Sequence, residues 1–247
     1  MAYNVDRRTM TRGQAEAAQI DVGLRSYMLR VYNLMASGLL LSGIVAVMID
    51  VVPVFRDLFY VTQGGQMVGL TLLGTLAMWS PLIVLFGAMF MMRSASAAMV
   101  QSMYWLFVAL QGVGLSVLLQ IYTDASVVRV FFITAAAFAG LSLYGYTTKR
   151  NLSGMASFLV MGLIGILIAA VVNLFIASSM LQFIISAAGV LVFAGLTAYD
   201  TQRIKEEYSA TMDRETMSKS ATWGALSLYI NFINLLQFLL YFLGNRE

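Results

Sequence analysis

Between Arg150 and Asp200 the chain carries no charged side chain. As one helix, the stretch from Asn151 to Tyr199 would measure about 74 Å at 1.5 Å of rise per residue, more than twice the roughly 30 Å hydrocarbon core of a bilayer. It therefore predicts two membrane-crossing helices that double back, with the small cluster Ala177, Ser178 and Ser179 as the turn. Further charge-free blocks run from Val31 to Ile49, Leu58 to Met92, Ser94 to Thr123, Val130 to Thr148 and Ser220 to Asn245. The blocks are continuously apolar, whereas barrel strands alternate over about ten residues, so helices are favoured. The expected fold class is an all-α integral membrane protein with seven spans, at roughly 31–51, 67–92, 99–122, 129–147, 153–176, 180–203 and 221–243.

Composition agrees with that reading. The 247 residues are 60% hydrophobic and only 11% charged, far more apolar than an average soluble domain. Cysteine and histidine are both absent. That removes disulfides and thiolate sites, along with the commonest general base and near-neutral pH switch. Any proton sensing must use carboxylates. The net charge of +3 is a weak cue because basic residues are distributed by topology, and nucleic-acid binding is not expected.

The basic residues set an orientation. Arg7, Arg8, Arg12, Arg25 and Arg30 precede the first span; Arg93, Lys149, Arg150, Arg203, Lys205, Arg214 and Lys219 fall in connections on the same side. Only Arg56, Arg129 and Arg246 fall opposite. This predicts a cytoplasmic N-terminus, a C-terminus outside, and residues 1–30 as a mobile polar tail; they lack the apolar core of a cleaved signal peptide. The charged segment from Glu206 to Lys219 reads as the longest cytoplasmic loop and the natural docking place for a cytosolic partner. Gly38 with Gly43, Gly112 with Gly114, and Gly162 with Gly165 read as close helix contacts. Pro81 should kink the second span, and the 17 methionines read as adaptable packing.

Asp200 is the residue that matters most for function, since a carboxylate at the lip of a span is costly to desolvate and is functional by default. Three groups could meet on the cytoplasmic side: Arg93 closing span two, Asp200 closing span six, and Asn231 inside span seven. Asn234 shares a helix face with Asn231 at i, i+3, and Asn234 and Thr201 are supporting polar candidates. Asn33 and Asn173 read as amides that join helices. The bland alternative makes Asp200 an interfacial carboxylate reaching cytoplasmic water beside Arg203 and Lys205. Burial of Asp200 would disfavour its charged form, and an arginine partner would favour it.

Enzyme chemistry is not expected. Without histidine there is neither a serine-protease triad nor a His-Glu-x-x-His metal site. An intramembrane aspartyl protease needs two membrane carboxylates, but the other acids lie in tails and loops, with Asp50 just outside span one. A retinal Schiff base would need a lysine in the last span, and the lysines are Lys149, Lys205 and Lys219.

The string Ala-Tyr-Asp-Thr-Gln-Arg-Ile-Lys from Ala198 to Lys205, the string Ala-Leu-Ser-Leu-Tyr-Ile-Asn-Phe-Ile-Asn-Leu from Ala225 to Leu235, and Thr134 to Phe138 with Gly112 and Gly114 upstream resemble the Bax inhibitor-1 family. A bacterial inner-membrane member fits best, from about Arg25 to Gly244. The resemblance implies six helices around the C-terminal one and a pH-sensitive calcium leak. It also implies an aspartate pair, one on each of the last two helices, that shares a proton and is latched by an arginine near the end of the second helix. Asp200 matches the first aspartate and Arg93 the arginine, but the second position is Asn231. An Asp–Asn pair lacks the repulsion that makes two carboxylates share a proton. The expectation is therefore a pH response displaced downward or a permanently latched state, with calcium held only weakly at Asp200 because one anionic oxygen ligand is missing. No cofactor is expected beyond transient calcium, which gives a pH-sensitive cation leak gated by Asp200. The alternative is a non-conducting stress-response modulator that binds a membrane protease.

Overall fold

The computed structural model describes residues 12–63, 66–79, 84 and 95–245, with side-chain surroundings from residue 22 onward. Its elements are α1 (Arg12–Val51), α2 (Pro53–Phe59), β1 (Tyr60–Gln63), β2 (Gln66–Leu70), a helical run over residues 72–79 (α3), α4 (Ala97–Ile121), α5 (Asp124–Thr147), α6 (Ser153–Ile176), α7 (Ser179–Glu207) and α8 (Arg214–Leu243). Among the described residues six helices are long and apolar enough to cross a membrane: α4 to α8 and the Val22–Val51 part of α1.

The sequence places the first span at 31–51, but α1 is one helix of 40 residues that begins at Arg12. The start expected for the second span at 67 is occupied by β2, which pairs antiparallel with β1, Tyr60 opposite Leu70. Proline explains the change of direction. Val52, which precedes Pro53, takes φ −94° and ψ 110°, the extended conformation that a following proline enforces. Pro53 then opens α2, where its missing N–H costs nothing. Tyr60, Val61 and Thr62 are strand formers, and apolar character alone did not separate them from the helix that follows. Pro81 and Arg93 lie outside the described residues.

Short polar side chains start the helices. Ser96, Thr123 and Ser178 accept hydrogen bonds from the amides of Met99, Ser126 and Leu181, and Asp213 accepts from Glu215 and Thr216, each satisfying amides that no helix turn can reach. The break in the long apolar block falls at Ala177, left-handed at φ 52°. The connection expected from Glu206 to Lys219 is mostly helix instead: α7 continues to Glu207 and α8 starts at Arg214. Tyr208, between them, stacks on Tyr27 of α1 with ring centroids 5.5 Å apart.

α8 is the centre of the bundle and packs against α1, α4, α5 and α7, while α6 lies chiefly against α7. Ala221, Ala225, Leu228, Tyr229 and Leu240 of α8 are fully enclosed. The polarity is inverted relative to a water-soluble domain: Ser42, Ser116, Thr134, Ser186, Thr197 and Thr201 have no exposed surface, whereas Phe175 is 85% exposed. Such a surface suits hydrocarbon, and hydroxyls inside serve to join helices. Of each expected glycine pair, Gly38, Gly112 and Gly162 meet a neighbouring helix; Gly43, Gly114 and Gly165 face open space. Asn33, read as a helix-joining amide, is exposed, while Asn173 does join α6 to α7 through a 3.2 Å bond to Gln182. Asp50 is not outside the first span but in the last turn of α1, where it meets Arg56 and Gln120.

Candidate functional site: a carboxylate held between the last two helices

Asp200 lies seven residues before the end of α7, and its side chain turns inward to α8. The residue is 7% exposed. Its Oδ2 accepts a 2.7 Å hydrogen bond from Asn231 Nδ2 and one of 3.2 Å from Ser227 Oγ. Its Oδ1 stands 3.0 Å from the guanidinium of Arg203, one turn on in the same helix. Ser227 relays between the two charges, since the same guanidinium nitrogen donates to its oxygen at 3.1 Å and its single proton goes to the carboxylate. A carboxylate only accepts, so Asn231 must present its NH2 group here.

The charge is therefore compensated on every side. Arg203 is 41% exposed, so it carries the site's link to water, and its second terminal nitrogen lies 3.8 Å from Glu207. Arg203 is the partner that sequence reasoning treated only as a companion of an interfacial Asp200. The signal was present in its i, i+3 spacing, which puts the two side chains on one face. Ser227, one turn before Asn231 on the face of α8 that meets α7, was missed altogether because a serine in an apolar run carries no distinguishing mark.

The rest of the Asp200 string clamps α7 to the bundle, each residue in a different direction. Thr201 gives its proton to the Thr197 carbonyl at 2.8 Å. It accepts from Ser142 of α5 at 2.9 Å, and Ser142 in turn accepts from Tyr32 of α1 at 2.6 Å. Gln202 holds the α5–α6 connection, accepting from the Leu152 amide at 2.7 Å and donating to the Arg150 carbonyl at 2.9 Å. Lys205 donates to the Tyr146 carbonyl at the end of α5, at 2.8 Å. Gly145 makes this convergence possible: a Cβ there would lie 2.2 Å from the Ala198 carbonyl oxygen.

Asn234 does not join the cluster. Its amide donates to the Ile230 carbonyl of its own helix at 2.9 Å. At the same level of α8 but on its opposite face, Tyr229 is fully buried and its hydroxyl lies 2.6 Å from Ser42 Oγ of α1. Ser42 donates to the carbonyls of Val108 and Gly38 at 2.7 and 3.0 Å, so Tyr229 is the donor toward Ser42. This polar crossing of α1, α4 and α8 was not anticipated either. Among the described residues no three acidic, histidine or cysteine side chains gather as a metal site.

A bundle of long apolar helices with hydroxyls, amides and one compensated carboxylate inside defines a multi-pass membrane protein with a polar core. The family model described as "Inhibitor of apoptosis-promoting Bax1" matches residues 24–247, and the chain belongs to that Bax inhibitor family. It is similar to the Inner membrane protein YbhL of Escherichia coli K12, 39% identical over 231 residues that cover 93% of this chain and 95% of the relative. It is 49% identical over 230 residues to a protein of Caulobacter vibrioides, covering 92% of each. It is 43% identical over 228 residues to the protein RP147 of Rickettsia prowazekii, again covering 92% of each.

Proposed function

We propose that the protein mediates or regulates a pH-sensitive leak of cations, calcium first among them, across the bacterial inner membrane, and that Asp200 is its gate. The observation that carries this reading is an ionisable carboxylate, buried between α7 and α8 and held by Arg203, Ser227 and Asn231. Protonation would weaken all three attachments at once, because hydrogen bonds to an ionised group are about twice as strong as neutral ones. The closed bundle thereby becomes sensitive to the state of one proton. Relatives named as inner-membrane proteins support the location.

The topology that goes with this reading has seven spans, the second running through the region of Pro81 and Arg93, and six helices around α8. In this reading the N-terminal residues 1–30 are cytoplasmic and the C-terminus lies outside, the orientation that the distribution of basic residues favours. Arg93 is a second counter-charge for Asp200 beside Arg203. Calcium prefers six to eight oxygen ligands. The Asp200 carboxylate with the Ser227 hydroxyl oxygen offers few of them, since Asn231 turns its NH2 group to the site, so calcium would pass the site rather than stay. No resident cofactor and no enzymatic step enter the reading.

Purified protein in proteoliposomes tests it. Calcium flux across pH 5 to 8 should change in size or pH dependence on Asp200→Asn, and identical curves for variant and parent would reject the gate. One observation favours a second reading, in which the chain is a non-conducting stress-response modulator of a membrane protease: Asp200 is already paired within its own helix, as a purely structural carboxylate would be. A protease recovered by crosslinking in native membranes, together with no flux from the purified protein, would select that reading.

A further inference from the structure

α1 and α5 both pack on α8, and between them, beside the Tyr32–Ser142 bond that links the two helices, lies a lateral furrow. It sits at the end nearer Asp200 and has a volume of about 620 Å³. One wall is a single face of α1, where Arg25, Met28, Leu29 and Tyr32 follow one another at i, i+3, i+4, i+7. The other wall is α5, with Phe138, Leu143 and Tyr146. A second, separate hollow of about 790 Å³ lies toward the other end of α1, along Leu40, Ile44 and Val51, opposite Phe131. A Cβ added at Gly43 of α1, on that face, would meet nothing within 4 Å.

The two ends differ in charge. The end at Val51 is apolar, whereas Arg25 lines the other and is exposed there. Lys205 of α7 lies against the Tyr146 side chain that lines this end, 5.1 Å from the centre of its ring. Among the described residues no ion pair engages Arg25. Glu207, the acid nearby on α7, lies 3.8 Å from Arg203. Arg25 and Tyr32 are seven residues apart, about 10 Å along the helix, the spacing between a headgroup phosphate and the upper part of its acyl chains. An arginine fork fits phosphate oxygens in two places at once, and basic pockets between membrane helices select anionic lipids.

We propose that this furrow is a binding site for one anionic phospholipid, with its phosphate on Arg25 and Lys205 and an acyl chain along the exposed Leu29 and Leu143, over the buried Met28 and Phe138. The site does not depend on whether the protein conducts ions. It does touch the gate region, because Ser142 lines the furrow and bonds Thr201, the residue next to Asp200.

Native mass spectrometry of the full chain, released from detergent after equilibration with phosphatidylglycerol or phosphatidylcholine of the same acyl chains, tests the proposal. The parent should retain phosphatidylglycerol in preference. Arg25→Gln should lower that preference roughly fivefold, the worth of one basic side chain at an anionic headgroup, and Arg25→Lys should keep most of it. Leu29→Trp, which fills the furrow from an exposed position, should reduce retention of both lipids. Equal retention of the two lipids by the parent, an unchanged preference in Arg25→Gln, or undiminished binding in Leu29→Trp would each overturn the site. Parent-like melting of the variants, expected because both side chains are exposed, separates loss of lipid from loss of fold.

Discussion

Replacing Asp200 by asparagine changes almost no volume and removes one charge, so its effect on stability measures how firmly that charge is held. Three attachments are at stake: 2.7 Å from Asn231, 3.2 Å from Ser227 and 3.0 Å from Arg203. Two unit charges at 3 Å attract by about 5 kcal/mol at an effective dielectric of 20. Arg203 is 41% exposed, however, and pairs in contact with water contribute only about 0.2 to 1 kcal/mol. The buried bond from Asn231 is different, because a hydrogen bond to a charged group contributes about 1.5 to 3 kcal/mol. In the variant it becomes a neutral amide pair worth about half as much, and the new NH2 group must face either the Arg203 or the Asn231 donors. The expected loss is about 1.5 to 3 kcal/mol, or roughly 3 to 12 °C in Tm for a chain of this size. Tryptophan fluorescence on heating reports it in detergent, through Trp79, Trp105 and Trp223. A double-mutant cycle with Asn231→Ala should give a coupling of at least about 0.5 kcal/mol, as expected for residues in contact. A Tm within 1 °C of the parent, or additive effects in the cycle, would refute the arrangement, since a carboxylate free in water loses nothing on becoming an amide.

Two other perturbations follow from the packing and the caps. Gly145→Ala should destabilise by about 1 to 3 kcal/mol through overpacking and lower Tm in the same assay, because its Cβ would sit 2.2 Å from the Ala198 carbonyl oxygen; Gly114→Ala, with nothing within 4 Å of its Cβ, should leave Tm unchanged. The Asp213 carboxyl is held below the ordinary carboxylate range, chiefly by the Thr216 side chain and then by backbone amides. A lowered value means that its capping is complete above the unfolded value of 3.8 and is lost as pH falls through the lower folded value. The protection factors of the Glu215 and Thr216 amides, taken against their intrinsic exchange rates at each pH, should therefore fall on acidification below about pH 4 in the parent, and should already be low and pH-independent by this route in Asp213→Ala.

How much of this was legible in the sequence depends on what carried the information. The turn at Ala177 could be found because a run of that length cannot cross a bilayer once, which is a matter of geometry. Asp200 and Asn231 could be paired because few groups in these spans are polar enough to need company. The hairpin at Tyr60 was invisible, since Tyr-Val-Thr is as apolar as a span and only the φ restriction at Val52, imposed by Pro53, distinguishes it. The helical start of α1 was hidden for the opposite reason: its charged residues read as a tail, although nothing in 12–30 forbids a helix. Ser227, Ser42 and Tyr229 stood out only once helix rotation was known, because a hydroxyl facing lipid and one facing a neighbouring helix have the same sequence signature.

The distribution of polar bonds around α8 also indicates where the bundle can give. Its N-terminal part is tied to α1 by Arg30 and Ser218 at 2.8 Å, its middle by Tyr229 and Ser42 at 2.6 Å, and its far end to α5 by Arg129 and the Leu243 carbonyl at 2.8 Å. Those links use arginine, hydroxyl and carbonyl groups, whose hydrogen bonding does not change over the pH range in which carboxylates titrate. The bonds that tie α7 to α8 around Asp200 all involve the carboxylate or the Arg203–Ser227 bridge beside it. A single proton on Asp200 therefore weakens the α7–α8 seam and leaves the grip of α1 and α5 on α8 intact. On the proposed gating, opening would begin as a displacement of α7 from α8, and Gly145 under Ala198 is the close crossing of α7 on α5 that such a movement would meet.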